Sequence, residues 1–194
     1  MQLKRMFSTD AVKGTRGYLR TQKNYEILRT VLYFAISLAL FIAGWVSTGS
    51  RENLLTIVAV LGCLPACKSL VEMFMYLRYK GCDERDAALI AAHTQGLTGL
   101  YDCVFTSYEK NFCIHHLTVC GNTICGYTAD PKFEEQAFYK HIQAILKKDN
   151  YRETSVKIFN DPDKYVKRCE QLKELPTQPE LTSGICQTLK SVSL

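Results

Sequence analysis

Two apolar stretches joined by a short polar turn constrain this sequence more than any other feature. Residues 31–46 carry no charge and approach the ~20 residues that an α-helix needs to cross a bilayer. Residues 54–77 are long enough as well, and the turn between the two stretches, residues 47–53, is too short to hold a domain. We therefore expect an antiparallel hairpin of two transmembrane helices within residues 27–78, with the first span at about 28–47.

Basic residues flank this hairpin unequally. Seven precede the first span, and Arg78 and Lys80 follow the second, whereas the turn offers only Arg51. The positive-inside rule therefore places both termini in the cytoplasm of a multi-pass protein of the cell (inner or plasma) membrane. Residues 1–26 form a basic segment whose expected partners are membrane lipids with anionic headgroups. Its basic residues, with the one just beyond it, are Lys4, Arg5, Lys13, Arg16, Arg20, Lys23 and Arg29.

A cleaved signal peptide is the competing interpretation of the first stretch, because it also combines a basic start with an apolar core. The apolar core here exceeds the roughly 7–15 residues of a signal h-region, and a second apolar stretch follows at once. The nine cysteines are odd in number and scattered along the chain, which is typical of free thiols in a reducing compartment. Both observations favour a retained anchor with a cytoplasmic domain.

The net charge of +5 belongs to the membrane-proximal part of the chain. Through Thr30 there are seven basic and two acidic residues, and the remaining residues hold 17 of each sign. From Asp83 onward the chain has 13 basic and 15 acidic residues, so it shows no basic surface for tracking phosphates. We expect no nucleic-acid partner.

Within the second span, Lys68 and Glu72 stand four residues apart and share one helix face. Charges at membrane depth are costly, so such a pair can mark a partner helix or an ion path. The alternative is that both lie near the cytoplasmic end, where they snorkel or pair with each other. Gly62 and Ala66 in the same span form a small-xxx-small pair that would allow another helix to approach closely.

Residues 79–175 read as a cytoplasmic α/β domain. An alanine-rich helix from Asp83 is followed by three segments with strand character, a helix, a fourth strand and a last helix that prolines stop. This order is α-β-β-β-α-β-α. Residues 176–194 are predicted to form a polar tail with one weak helical turn. The three strand segments are residues 100–108, 112–120 and 123–128, and the fourth is residues 152–159.

This element order is the core order of the restriction-endonuclease-like fold, and residues 114–128 resemble the strand pair of nuclease-related (NERD-type) domains. In that family the first strand bears a metal-binding Asp, and the second ends in an acidic residue, a spacer and a Lys. Here those places hold His115, Gly126 and Thr128. Glycine supplies no metal ligand and threonine no charge, so the resemblance implies a degenerate site without catalytic activity.

Other candidate chemistry is weaker. One cluster has soft-metal character, but alternation along a strand splits it between two faces, and Cys-x-x-Cys spacing is absent. A cysteine nucleophile would need a histidine, and no local pattern selects a pair. We expect no metal and no cofactor. The cluster is Cys113, His115, His116, Cys120 and Cys125, and the available histidines are His93, His115, His116 and His141.

Three functions remain open at this stage. The first is a non-catalytic anchor or scaffold whose cytoplasmic domain binds a protein partner or another copy of the chain. The second is a membrane-tethered enzyme of endonuclease descent with displaced acidic groups, for which Asp102, Asp130 and Glu134 are the candidates. The third is a small channel or transporter subunit that uses Lys68 and Glu72.

Overall fold

The structure, a computed structural model, describes residues 13–50, 52–108, 110–151, 154–176 and 178–194. The chain divides into two compact units. The helical unit is Leu19–Lys80, and the α/β unit is Gly81–Leu194 together with Tyr18 and the described residues just before it. Seven charged residues used in the charge and orientation arguments lie outside the described residues, namely Lys4, Arg5, Asp10, Arg51, Glu109, Arg152 and Glu153.

The helical unit is the predicted hairpin. Helix α1 spans Tyr18–Thr48 and helix α2 spans Leu54–Arg78. The turn is closed by Asn53, whose side-chain oxygen accepts the Thr56 N–H at 2.8 Å and so caps the start of α2. Both helices are long and apolar enough to cross a membrane, by length and composition.

Small residues line the contact between α1 and α2. A Cβ on Gly62 would lie 2.8 Å from the Ser37 hydroxyl, and one on Gly44 would lie 2.8 Å from the Leu55 Cβ. Ala66 is fully buried. The predicted close approach at Gly62 and Ala66 is therefore made between the two helices of the hairpin itself.

Large apolar side chains cover the opposite faces of both helices. Only 17% of the most apolar window of each helix is buried. A core helix of a soluble protein would show the reverse, because its apolar side chains pack inside. The most exposed of these side chains include Val46, Leu54, Val60 and Leu64.

The α/β unit holds a four-stranded sheet in the order β1-β2-β3-β4. The first three strands are antiparallel, and β4 runs parallel to β3. The order of elements is the predicted one, with one further helix at the end. The elements are α3 (Glu84–His93), β1 (Thr98–Thr106), β2 (Asn111–Cys120), β3 (Thr123–Tyr127), α4 (Glu135–Lys148), β4 (Ser155–Phe159), α5 (Pro162–Lys173) and α6 (Pro179–Val192).

Helices cover both faces of the sheet. On one face α4 and α6 pack against the larger apolar cluster, with Phe138, Ile142 and Leu146 of α4 at helical spacing. On the other face α3 and α5 pack against a second cluster that contains Ile90 and Tyr165. Each face of the sheet is thus buried, which makes the unit a three-layer α/β/α arrangement.

The predicted polar tail at residues 176–194 is wrong. This stretch forms α6, and Ile185, Cys186 and Leu189 of this helix are buried in the larger cluster. The helix buries two threonines beside its few apolar residues, which is why its sequence looks polar. After α6, the Leu194 N–H donates to the Val104 carbonyl at 2.9 Å. The α/β unit therefore extends beyond residue 175 to the end of the chain.

The predicted separate basic segment, residues 1–26, also differs from the structure where it is described. Gly14 accepts the Tyr101 N–H at 2.8 Å, and the Lys13 ammonium donates to the Ser193 carbonyl at 2.9 Å. These contacts attach the residues before Tyr18 to strand β1 and to the end of the chain. From Tyr18 onward the segment is already part of α1.

Replacing Ile185 by Ala tests the role of α6. The change opens a cavity in the larger cluster, and we expect it to lower the free energy of unfolding of the α/β unit by about 2–4 kcal/mol. The matched control is Gln187→Ala on the exposed face of the same helix, which should cost less than about 0.5 kcal/mol. Hydrogen exchange of the sheet amides in the full chain measures both changes, and equal effects would contradict the assignment of α6 to the core.

Candidate functional site

An ion-pair network joins the two helices of the hairpin. The Arg29 guanidinium of α1 donates to the carboxylates of Glu26 and Glu72, and its Nε donates to the Ser69 hydroxyl at 3.2 Å. Thr30 and Ser69 share a further hydrogen bond of 2.9 Å between their hydroxyls. We call these five residues, together with Gln22, which donates to Glu26 at 2.9 Å, the polar clamp.

Burial makes the pairing in the polar clamp strong. The side chains of Glu26 and Arg29 are 3% and 14% exposed, and that of Glu72 is 35% exposed. Removing one partner would leave a charge in a poorly solvated place. The Lys68 ammonium, 81% exposed, lies 3.9 Å from the Glu72 carboxylate. The negative charges of Glu26 and Glu72 are therefore balanced by the positive charges of Arg29 and of Lys68, which lies beside the polar clamp.

The predicted Lys68 and Glu72 pair is thus present, but Glu72 has a more buried partner in Arg29. Sequence reasoning treated Arg29 only as one of the charges that flank the first span. The two residues are 43 positions apart, so no local pattern shows that they meet. The signal that could have found the pair is the alignment of the two spans as a hairpin, which brings the start of α1 beside the end of α2.

The polar clamp lies at one end of the apolar part of the hairpin. The apolar stretch of α2 from Leu54 to Ser69 rises about 24 Å at 1.5 Å per residue. This is close to the ~30 Å hydrocarbon thickness of a bilayer. The polar clamp therefore lies at the end of this stretch that is away from the turn, beside the exposed side chain of Lys68.

In the α/β unit, the nuclease-like positions surround a distortion of β1. Asp102 has a φ of +53°, which is uncommon for a residue with a side chain. It lies between the paired residues Tyr101 and Cys103, opposite His115 of β2. The Asp102 side chain is buried, and its Oδ1 accepts the Cys82 N–H at 2.8 Å. The pairing of β1 with β2 keeps the same register on both sides of Asp102, so no residue is inserted. We call this place the β1 distortion.

The positions that carry the nuclease signature have structural roles here. His115 Nδ1 accepts the Ala129 N–H at 3.1 Å, so the proton of the neutral ring sits on Nε2. A Cβ on Gly126 would lie 2.6 Å from Ile158 Cδ1, so a side chain here would require the Ile158 side chain to move. The Thr128 hydroxyl donates to the Cys113 carbonyl at 2.8 Å. All three residues fasten the sheet rather than point toward a common centre.

Around the β1 distortion, burial favours the neutral forms of the titratable side chains His115 and Cys113. Burial lowers the pKa of His115, and the carboxylates of Asp102, Asp86 and Asp130 oppose that change. Burial, followed by the Asp102 and Asp130 carboxylates, raises the pKa of the Cys113 thiol to about 12. A thiol with such a pKa is no nucleophile near neutral pH.

The three acidic residues considered for a displaced active site have separate partners. Asp102 holds the Cys82 N–H, and Asp130 accepts the Lys132 N–H at 2.9 Å. Glu134 pairs with Lys110 at 2.5 Å on the surface. Within the described ranges, no three His, Cys, Asp or Glu residues are grouped so that they could hold a metal ion.

The second histidine of the soft-metal cluster lies in a buried hydrogen-bond network that sequence reasoning missed. His116 Nδ1 is 2.6 Å from the Tyr165 hydroxyl, which is 2.7 Å from the Thr118 hydroxyl. Burial lowers the pKa of His116 to about 3, so the ring is neutral at physiological pH. Elsewhere, His93 pairs with Glu170 at 2.8 Å. The network fixes α5 on the sheet.

Comparison with known proteins gives no relative from which a role could be transferred. No protein-family model, curated protein or solved structure matches the chain.

Replacing Arg29 by Leu tests the polar clamp. The change strands two carboxylates between the helices, and we expect it to lower the free energy of unfolding of the hairpin by about 3 kcal/mol. Lys68→Leu is the matched control, since Lys68 is exposed and should contribute less than about 1 kcal/mol. Reversible unfolding in mixed micelles, followed by circular dichroism, measures both. If Lys68→Leu costs as much as Arg29→Leu, the assignment of Arg29 as the central group is wrong.

Proposed function

We propose that the chain is a non-catalytic membrane anchor and scaffold. Its hairpin spans the bilayer twice and holds the α/β unit at the cytoplasmic surface, where that unit binds a protein partner or a second copy of the chain. The observation that carries the proposal is the hairpin itself. It buries small residues and the Arg29–Glu26 ion pair and exposes large apolar side chains along both helices.

Exposed apolar area of this kind requires a cover. Val46 and Leu54 are 80% and 76% exposed, and similar side chains continue along both helices. Apolar surface costs about 25 cal/mol for each Å² left in water, so a bare hairpin would aggregate. Lipid satisfies this surface without further protein contacts. The helices also satisfy their own backbone hydrogen bonds, as a membrane span must.

Hydrogen bonds inside the α/β unit support the placement of both hairpin flanks on one side of the membrane. Lys13 and Gly14, which precede α1, bond to Ser193 and Tyr101, which follow α2. An antiparallel hairpin of two spans satisfies this condition, because its two ends emerge at the same surface. The positive-inside rule makes that surface cytoplasmic. Anionic headgroups are the proposed partners of the basic side chains at this end of the hairpin, among them Lys23 and Arg78.

The α/β unit supports descent from a restriction-endonuclease-like fold that has lost its chemistry. The feature that motivates this proposal is the order of elements, with three antiparallel strands, a helix and a fourth strand parallel to the third. The signature positions His115, Gly126 and Thr128 contribute packing and hydrogen bonds instead of metal ligands and a lysine. This replacement of chemical roles by structural ones is the reason to propose a binding unit.

The two rival functions find less support. An enzyme with displaced acidic groups would bring Asp102, Asp130 and Glu134 together, and each of them has a different partner. A channel or transporter subunit would use Lys68 and Glu72 along a path. Glu72 is instead held by Arg29, which closes the contact between the helices. No single observation favours either rival, so the anchor is the function we carry forward.

Accessibility of two introduced cysteines tests the proposed topology. Ser50 lies in the turn and Ser155 lies on β4, and both are exposed. In intact cells an impermeant maleimide should label Ser50→Cys, whereas Ser155→Cys should react only after permeabilisation. The native Cys169 would be a poor reporter because it is buried. Labelling of Ser155→Cys in intact cells, or release of the chain from membranes by alkaline carbonate, would overturn the proposal.

A further inference from the structure

The chain segments that lead into α1 and out of α2 attach to consecutive residues of one strand. The Tyr101 N–H donates to the Gly14 carbonyl at 2.8 Å, and Asp102 Oδ1 accepts the Cys82 N–H at 2.8 Å. Gly14 lies four residues before α1 begins, and Cys82 lies four residues after α2 ends. We call residues 13–17 and 81–84, together with Tyr101 and Asp102, the linker junction. All of these residues belong to the α/β unit.

The two linkers also contact each other directly. The Arg16 guanidinium donates to the Glu84 carbonyl at 3.4 Å, just beyond Asp83, which caps α3. Charged groups at the junction also change the pKa of the Cys82 thiol in the second linker. Burial and the Asp102 carboxylate raise the pKa of the Cys82 thiol to about 12, and Arg16 works in the opposite direction. A charge on the first linker thus acts on a side chain of the second.

Glycines let both linkers approach β1 without an intervening side chain. A Cβ on Gly14 would lie 2.7 Å from Leu100 Cδ2, and Gly14 has a φ of +79° that side chains disfavour. A Cβ on Gly81 would lie 3.1 Å from Asp102 Oδ2. Each linker therefore lies close to β1. A side chain at Gly14 or Gly81 would push the linker away from the strand or displace the side chain that it meets.

The backbone at the junction is held in an unusual conformation. Asp102, with its φ of +53°, is the residue to which the second linker is fastened. Such a conformation persists only where the surroundings hold it. Those surroundings are the Gly14 contact at Tyr101, the Cys82 contact at Asp102 and the pairing of Tyr101 with His116 and Cys103 with Ile114.

We propose that the linker junction couples the two linkers, so that release of one loosens the other through Tyr101 and Asp102. The junction then transmits a displacement of either linker to the β1 distortion at Asp102. This inference goes beyond anchoring and does not depend on it, because the junction lies within the α/β unit and exists in detergent as well as in lipid. Energetic coupling of two contacts is reciprocal, so each release must affect the other by the same factor.

The first arm of the test loosens the second linker in the full-length chain, in detergent and in phosphatidylcholine vesicles. Asp102→Gly removes the acceptor and tolerates the positive φ, whereas Asp102→Asn keeps an oxygen at the same place. Losing the hydrogen bond should speed alkylation of Cys82 about tenfold, as measured by mass spectrometry. Cleavage after Arg16 by an arginine-specific protease should rise as well. Asp102→Asn keeps the acceptor but loses the charge that raises the pKa of Cys82, so it is the reference against which the tenfold change in alkylation is measured. Cleavage after Arg16 should stay within about twofold of wild type in this variant.

The second arm loosens the first linker with Gly14→Ala, whose Cβ meets Leu100. Coupling predicts that this change speeds Cys82 alkylation, just as Asp102→Gly speeds cleavage after Arg16. Cys125 of β3 and Cys169 of α5 are buried in the second apolar cluster, so they report whether the unit stays folded and should remain unlabelled.

Three results would overturn the proposal. Unchanged Cys82 alkylation in Gly14→Ala would show that the two linkers are independent. Unchanged cleavage after Arg16 in Asp102→Gly would also show that the linkers are independent. Parallel labelling of Cys125, Cys169 and Cys82 would show that the whole unit opens and that no local coupling exists.

Discussion

The Arg29 guanidinium, shared between Glu26 and Glu72, is the interaction on which the hairpin depends. The apolar faces of α1 and α2 point outward, so they contribute little to holding the helices together. The contact between the helices comes from small residues that let the backbones approach, and from the polar clamp at one end. Since the charges of Glu26, Arg29 and Glu72 are paired, the polar clamp holds these charges between the helices without leaving one of them unpaired.

In the α/β unit, two side chains of the sheet hold backbone groups of neighbouring segments. Asp102, at the β1 distortion, accepts the N–H of Cys82 in the linker that leaves the hairpin. His115, opposite it on β2, accepts the N–H of Ala129 in the segment that leads into α4. Burial favours the neutral forms of the His115 ring and the Cys113 thiol.

The parts of the fold that follow from local pattern could be predicted, and the parts made by distant contacts could not. Two long apolar stretches and strands of alternating polarity carry strong periodic signals, so the hairpin and the order α-β-β-β-α-β-α were expected. Helix α6 was missed because its buried face includes Thr182 and Cys186 beside Ile185 and Leu189, and its apolar content is low. The partnership of Arg29 with Glu72 and the linker junction join residues tens of positions apart. The contacts of Gly14 and Cys82 use backbone atoms, which leave no mark in the sequence.

The central claim is that the outward faces of α1 and α2 lie in lipid, and the single tryptophan of the chain offers the most direct test. Trp45 lies near the turn end of α1, with nearly half of its side chain exposed. In vesicles reconstituted with the full chain, lipids brominated near the headgroup should quench its fluorescence, and aqueous iodide should quench it weakly. Strong quenching by iodide with no effect of any brominated lipid would place Trp45 in water and contradict the account.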